Sequence, residues 1–206
     1  MAGMSALAAE IAWTGTAFRT FADERPEHER WELIDGRPVM QASASLRHQI
    51  IAGNAVRLMN AALERGGSGL IAIESFMVDI AEASPGQMYV PDVLVVEPDE
   101  AEGQENATSV PLAVVEIVSP SDRRRLPRSD LRRVEVKLHH YRALTSCRTI
   151  LLIEQDRVEI VAHLRSADGW TEQRFNDPDE PLSIPALGLA CTVGDFYART
   201  PLGQRR

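Results

Sequence analysis

The sequence predicts a single α/β domain. It should have a central mixed β-sheet flanked by helices, with further antiparallel strands toward the C-terminal end. Three observations predict this. Residues 111–120, P-L-A-V-V-E-I-V-S-P, are a nearly continuous apolar run closed by prolines, the pattern of a strand buried on both faces. Residues 88–96 and 149–153 repeat that pattern. Stretches with helical spacing of apolar residues lie before and between these runs.

Composition bounds the rest. With 206 residues and 44% hydrophobic content, the chain can build one substantial core. Residues 1–29 read as a short helix and polar linker, and 30–200 as the main domain. Cys147 and Cys191 are too far apart in sequence for a disulfide framework or zinc spacing, which fits a reducing cytoplasm. No apolar run approaches the roughly 18 residues of a membrane span, and the N-terminus lacks the basic start of a signal peptide. A net charge of −8 argues against a nonspecific nucleic-acid coat but leaves room for a carboxylate-based enzyme acting on nucleic acid. Of 22 basic residues, only Lys137 is lysine. A compact ammonium differs chemically from a guanidinium, so this position stands out.

Taken in order, Ala17, Phe18 and Phe21 mark one face of the first helix. Residues 31–34 and 38–40 flank Asp35-Gly36, a strong hairpin signal. Glu32 lies on the first strand of that hairpin, where an exposed face is the ordinary expectation. Ser43 or Ser45 can cap a helix that runs to Gly66-Gly67, with His48 in its first turn. Residues 70–80 alternate as one strand. Residues 88–96 form a buried strand whose regular pairing should begin near Asp92, because Pro91 has no amide to donate. After the 111–120 strand comes a turn with six arginines between 123 and 133. A helix over 130–144 follows, with Leu131, Val134, Leu138 and Tyr141 as its apolar stripe and Lys137 within reach of it. Residues 149–153, 157–165 and 170–175 read as further strands, and the tail ends in a short helix.

Glu116 is the anomaly of the 111–120 run, because a carboxylate is rarely buried without a partner. If 88–96 and 111–120 pair antiparallel with Val96 opposite Leu112, Asp92 falls beside Glu116. Two adjacent like charges are destabilising unless a cation lies between them. Asp and Glu together offer the hard oxygens that Mg²⁺ or Mn²⁺ takes, and Lys137 is the cation that could stabilise charge on phosphorus.

This order of motifs resembles the PD-(D/E)XK nuclease superfamily, and within it the Uma-two-type restriction endonuclease family. The resemblance runs from about Phe18 to Ala198. It rests on W-E-L-I-D-G-R-P-V-M, His48 in the first long helix, V-P-D-V-L-V-V, P-L-A-V-V-E-I-V-S-P-S, and K-L-H-H-Y. It implies a restriction-endonuclease-like fold and Mg²⁺- or Mn²⁺-dependent hydrolysis of DNA phosphodiesters by water, without a covalent enzyme intermediate or nucleotide cofactor. By match to the family's motifs, Asp92 and Glu116 are the metal ligands, with the Ile117 carbonyl as a further one. Lys137 is the catalytic lysine, moved from the position of Val118 to the next helix. Glu32 and His48 are secondary site residues. Arg133 stands where related sequences usually carry an Asp. Arg123, Arg124, Arg125 and Arg128 are candidate phosphate contacts. A homodimer is expected if both strands of a duplex are cut. The alternative is a non-catalytic module of the same fold that binds nucleic acid or a protein.

Overall fold

The computed structural model describes residues 12–26, 28–80, 82–98, 106–125 and 130–203. Its backbone is a mixed six-stranded sheet, a five-stranded sheet and a C-terminal hairpin, with helices packed on them. The six-stranded sheet runs β11-β10-β9-β8-β6-β3, formed by Gly169–Phe175, Ile160–Ser166, Thr149–Glu154, Ala113–Val118, Val93–Val96 and Ile71–Glu74. Only β8 and β9 pair parallel; every other neighbour in this sheet is antiparallel. The five-stranded sheet runs β2-β1-β5-β4-β7, formed by Arg37–Met40, Trp31–Ile34, Met88–Tyr89, Met77–Asp79 and Ala107–Thr108. Pro181–Ile184 (β12) and Leu189–Thr192 (β13) complete the antiparallel C-terminal portion.

Helix α1 (Gly15–Asp23) buries Phe18 against Leu33 and Met88. The N-terminal helix therefore packs on the sheet carrying β1. Helix α2 (Leu46–Gly66) starts at Ser45, whose hydroxyl accepts from the His48 amide, and ends at Gly67 in the left-handed conformation. Its buried face joins one side of the six-stranded sheet with the C-terminal hairpin and α4 (Val193–Phe196) in the main core. Helix α3 (Arg133–Ala143) covers the other side, where Tyr141 packs with Val114, Ile150 and Tyr89. It begins three residues later than the apolar pattern indicates, and Leu131 is exposed.

Two expected strands are each broken in two. Ser75 adopts φ +58, so 70–80 splits into β3 and β4, which lie in different sheets. The run 88–96 splits at Val90-Pro91-Asp92 into β5 and β6, which again lie in different sheets. The breaks are adjacent, since the Ser75 amide donates to the Asp92 carbonyl (3.3 Å). Hydrophobic pattern alone misses such breaks because apolar residues on both sides remain buried.

The edge of β3 is closed by a side chain. Asn60 on α2 donates to the Ala72 carbonyl (2.9 Å) and accepts from the Ala72 amide (2.8 Å), as a neighbouring strand would. Replacing Asn60 with Ala leaves both backbone groups without this partner. We expect a loss of about 1–3 kcal/mol in urea denaturation with an unchanged m-value.

Candidate active site

The hairpin turn Asp35-Gly36 has positive φ at both positions, as a tight two-residue connection requires, and β1 pairs with β2 from Ile34↔Arg37 to Trp31↔Met40. This directs Glu32 inward, where it is 0% exposed, contrary to the exposed face expected of it. The pairing of β6 with β8 is Val93↔Val115, Leu94↔Val114 and Val95↔Ala113. That is the register anticipated from the sequence, and one further step sets Asp92 opposite Glu116. Side chains alternate along β8. Ala113, Val115 and Ile117 enter the α2-side core, and Val114 enters the α3-side core. Glu116 shares the parity of Val114 and faces α3.

Three α3 residues at four-residue spacing, Arg133, Lys137 and Tyr141, meet these carboxylates. Lys137 Nζ donates to Glu116 Oε1 (2.9 Å) and lies 2.8 Å from Glu32 Oε1. The Tyr141 hydroxyl donates to Glu116 Oε1 (2.7 Å). Arg133 donates to Glu32 Oε2. Gln41 (2.7 Å) and the Val90 amide (3.0 Å) also donate to Glu32 Oε1. Lys137 is 2% exposed and Glu116 6%. Asp92 has its own partners: the Ile117 amide donates to Oδ2 (2.7 Å), and His48 Nε2 lies 2.9 Å from Oδ1. An ionised carboxylate only accepts, so that imidazole nitrogen carries the proton.

The charges perturb one another. Burial opposes ionisation of Glu32, but the charges of Lys137 and Arg133 outweigh it and hold the carboxyl below its usual range. Glu116 is pushed up to about 7, first by burial and then by the neighbouring carboxylates, with Lys137 opposing. Burial disfavours the Lys137 ammonium, yet Glu116 and Glu32 raise its pKa above the usual lysine value. Burial likewise works against the His48 imidazolium, and the hydrogen bond and charge of Asp92 raise its pKa overall.

These groups open onto a cavity of about 690 Å³. His48, Asp92, Glu116, Arg133 and Lys137 line it, as do Arg30, Gln41, Ser45, Asp122 and Arg124. Glu32 lies beneath Lys137, and every one of its oxygens has a donor. Sequence reasoning did not select Asp122, Gln41 or Tyr141 as site residues. Tyr141 was legible in principle, four residues beyond Lys137 on one helix face. Asp122 closes the turn after β8 by accepting from the Ser119 amide (2.9 Å) and hydroxyl. Of the arginines in that turn, Arg123 pairs with Glu154 and Arg125 with Asp130, while Arg124 lines the cavity. Arg128 lies outside the described residues.

Among the described residues, no three His, Cys, Asp or Glu side chains converge as a ready-made metal cage. Asp92 and Glu116 do fit a hard divalent cation of the Mg²⁺ type. Such an ion is commonly held by one or two carboxylates, with water and substrate oxygens completing its shell. Both hydrogen bonds to Glu116 named above fall on Oε1, which leaves Oε2 as the oxygen for such a role. The Ile117 amide on Asp92 brings the backbone of Ile117 to the same place, where its carbonyl was expected to act.

The class this fold defines is that of a nuclease-like α/β fold. The fold matches the crystal structure of a putative nuclease belonging to DUF820 from Anabaena variabilis, with a TM-score of 0.64 and 17% identity over 86% of this chain and 95% of that one. The family Uma2, described as "Putative restriction endonuclease", matches residues 17–194, and the chain belongs to that family. None of the curated proteins matches the chain significantly. No helix among the described residues is long and apolar enough to cross a membrane.

Removing Glu32 leaves Arg133 and half of the Lys137 contact uncompensated in a buried setting. We expect Glu32→Ala to lower stability by about 3–5 kcal/mol in equilibrium denaturation, among the largest single effects in this chain. A change below about 1 kcal/mol would contradict the anchoring role.

Proposed function

We propose that this protein is a divalent-metal-dependent endonuclease that hydrolyses DNA phosphodiesters at the cavity beside Asp92 and Glu116. One observation carries the reading above all. Two carboxylates on neighbouring strands share a cavity with the chain's only lysine, and that lysine is held against one of them. Asp92 and Glu116 would hold Mg²⁺ or Mn²⁺. Such an ion supplies Lewis acidity toward a phosphoryl oxygen and lowers the pKa of water.

The chain's own residues do the rest. Glu32 and Arg133 fix Lys137, so its ammonium enters the reaction already oriented and largely stripped of water, where it stabilises developing negative charge most strongly. Tyr141 fixes Glu116 at Oε1. His48 orients Asp92, leaving that carboxylate one geometry toward the cavity. Glu32 is an anchor in this reading: it is fully buried and, unlike Asp92 and Glu116, does not line the cavity. A two-fold dimer would bring two such cavities to the two strands of a duplex.

The test is cleavage of supercoiled plasmid with Mg²⁺ or Mn²⁺. We expect wild type to nick or linearise the plasmid, and Asp92→Ala, Glu116→Ala and Lys137→Ala each to lower the rate by about 10²-fold or more. If wild type cleaves no DNA with either metal, or if Asp92→Ala cleaves as fast as wild type, the assignment fails. The non-catalytic alternative predicts DNA binding without turnover in the same assay.

A pH dependence follows from the raised Glu116. Metal binding requires the ionised carboxylate, so Mg²⁺ affinity and cleavage should both rise with pH through about 7. Stability of the metal-free protein runs the other way. Because the folded pKa is above the unfolded one, the folded state retains a proton that the unfolded chain releases above about 4.5. The contribution of Glu116 therefore falls as pH rises from about 4.5 to about 7 and is flat beyond. Denaturant midpoints of wild type and Glu116→Gln measured across that window check the sign.

A further inference from the structure

The cationic side chains around the cavity are unequal in what they have left to offer. Arg123 pairs with Glu154 and lies 3.4 Å from Asp156. Arg125 lies 3.2 Å from Asp130, and Arg47 lies 3.7 Å from Asp156. Arg133 and Lys137 are engaged by the buried carboxylates. Arg30 and Arg124 differ from all of these. Both line the cavity, and neither side chain has an ion pair or hydrogen bond among the described residues.

Their backbones, in contrast, are tied to the residues that hold the site together. The Arg124 carbonyl accepts from the amide of Arg133 (3.0 Å), and the Arg124 amide donates to the Ser121 carbonyl (3.2 Å). The Arg30 carbonyl accepts from the amide of Gln41 (2.8 Å). Gln41 and Arg133 are two of the groups that grip Glu32. Each free guanidinium thus hangs from backbone that is hydrogen-bonded to the anchoring layer of the site. Its reach is adjustable, but its root is fixed relative to Asp92 and Glu116.

The cavity also presents a polyanion with Asp92, Glu116 and Asp122, and the nearest cations are already neutralised by partners. Attraction for a phosphate chain must then come from whatever cations remain, and a guanidinium fork matches phosphate oxygens in pairs. We propose that Arg30 and Arg124 grip two backbone phosphates adjoining the one at Asp92 and Glu116, and that Arg123 and Arg125 brace the turn that carries Arg124. The inference rests on the nuclease reading of this cavity and narrows its substrate to a polynucleotide strand. A lone phosphate ester at the carboxylates would leave both guanidiniums idle. Contacts of this kind carry no base sequence, so they set position and salt dependence.

The experiment is fluorescence anisotropy of a short labelled DNA duplex in EDTA, repeated over a series of salt concentrations. Wild type is compared with Arg30→Ala, Arg124→Ala and Arg123→Ala. Arg30→Ala and Arg124→Ala should each weaken binding about tenfold and reduce the slope of log affinity against log salt by about one. Arg124→Lys should recover most of the slope. Arg123→Ala should lower the melting temperature and leave the slope as in wild type. Unchanged slopes in Arg30→Ala and Arg124→Ala, an equal fall in Arg123→Ala, or salt-independent binding by wild type would each overturn the proposal. Cleavage with Mg²⁺ is scored separately on Asp92→Ala. If that variant cleaves like wild type, the nuclease reading fails, while the salt slopes still judge the arginines.

Discussion

The contact of one buried ammonium with two buried carboxylates organises this molecule. Glu32 comes from the five-stranded sheet, Glu116 from the six-stranded sheet, and Lys137 from the helix that covers both. None of the three could remain charged there alone, because taking an ion out of water costs several kcal/mol even after the surroundings relax. Arg133 adds a second positive charge against Glu32. With Glu116 ionised, the four groups form a cluster with two charges of each sign. An ion cluster of this kind contributes little net stability compared with a well-packed apolar core. What it contributes is relative position: the two sheets and α3 must meet in one arrangement for all four partners to be satisfied.

The second constraint is the pair of strand breaks at Ser75 and Val90-Pro91-Asp92. A continuous strand through 88–96 would keep Asp92 within the ladder. Because the chain changes sheets there, Asp92 sits where β6 begins, and its carboxylate takes the Ile117 amide beyond the last β6–β8 pair. The adjoining break at Ser75 meets it through the Asp92 carbonyl. The opening between the sheets that results is where the cavity lies. His48 enters from the first turn of α2, whose position is set by the Ser45 cap and by the contacts of Ser45 and Arg47 with Gln155 at the end of β9. Asp92 and His48 thus sit at element boundaries, where backbone direction changes, while Glu116 and Lys137 project toward them from within β8 and α3.

Much of this was legible in the sequence, for a physical reason. Strand registers obey a strict two-residue period, so the apolar runs around Asp92 and Glu116 could be laid beside one another and the carboxylates paired. The cap at Ser45, the left-handed Gly67 and the Asp35-Gly36 turn are local chemistry and read directly. The depth of Glu32 was not legible, because it depends on how the hairpin packs on a helix a hundred residues away. Arg133 looked like a departure from an expected acidic position, and only the fold shows that it faces Glu32. Pro91 signalled that regular pairing begins only near Asp92, but the change of sheet there and the break at Ser75 left no mark in the apolar pattern. The arginine-rich turn resolves into distinct roles only when each guanidinium's partner is known, since composition cannot separate a braced arginine from an open one.

The chemistry of the single lysine ties these points together. This chain uses arginine for 21 of its 22 basic residues, and at surface pairs such as Arg157–Glu159 the planar fork makes two bonds to one carboxylate. At position 137 the geometry is different. Two oxygens from two separate carboxylates lie 2.8 and 2.9 Å from one atom, with the Tyr89 ring 5.6 Å from the same nitrogen. A compact, near-spherical charge can satisfy converging acceptors of that kind, whereas a guanidinium presents its donors along fixed edges of a plane. An ammonium also has three donors, and contacts to Glu32 and Glu116 leave one for the cavity that Lys137 lines. Holding Lys137 in place and leaving it a free donor are therefore consequences of the same geometry, and that geometry requires Glu32, Glu116 and α3 together.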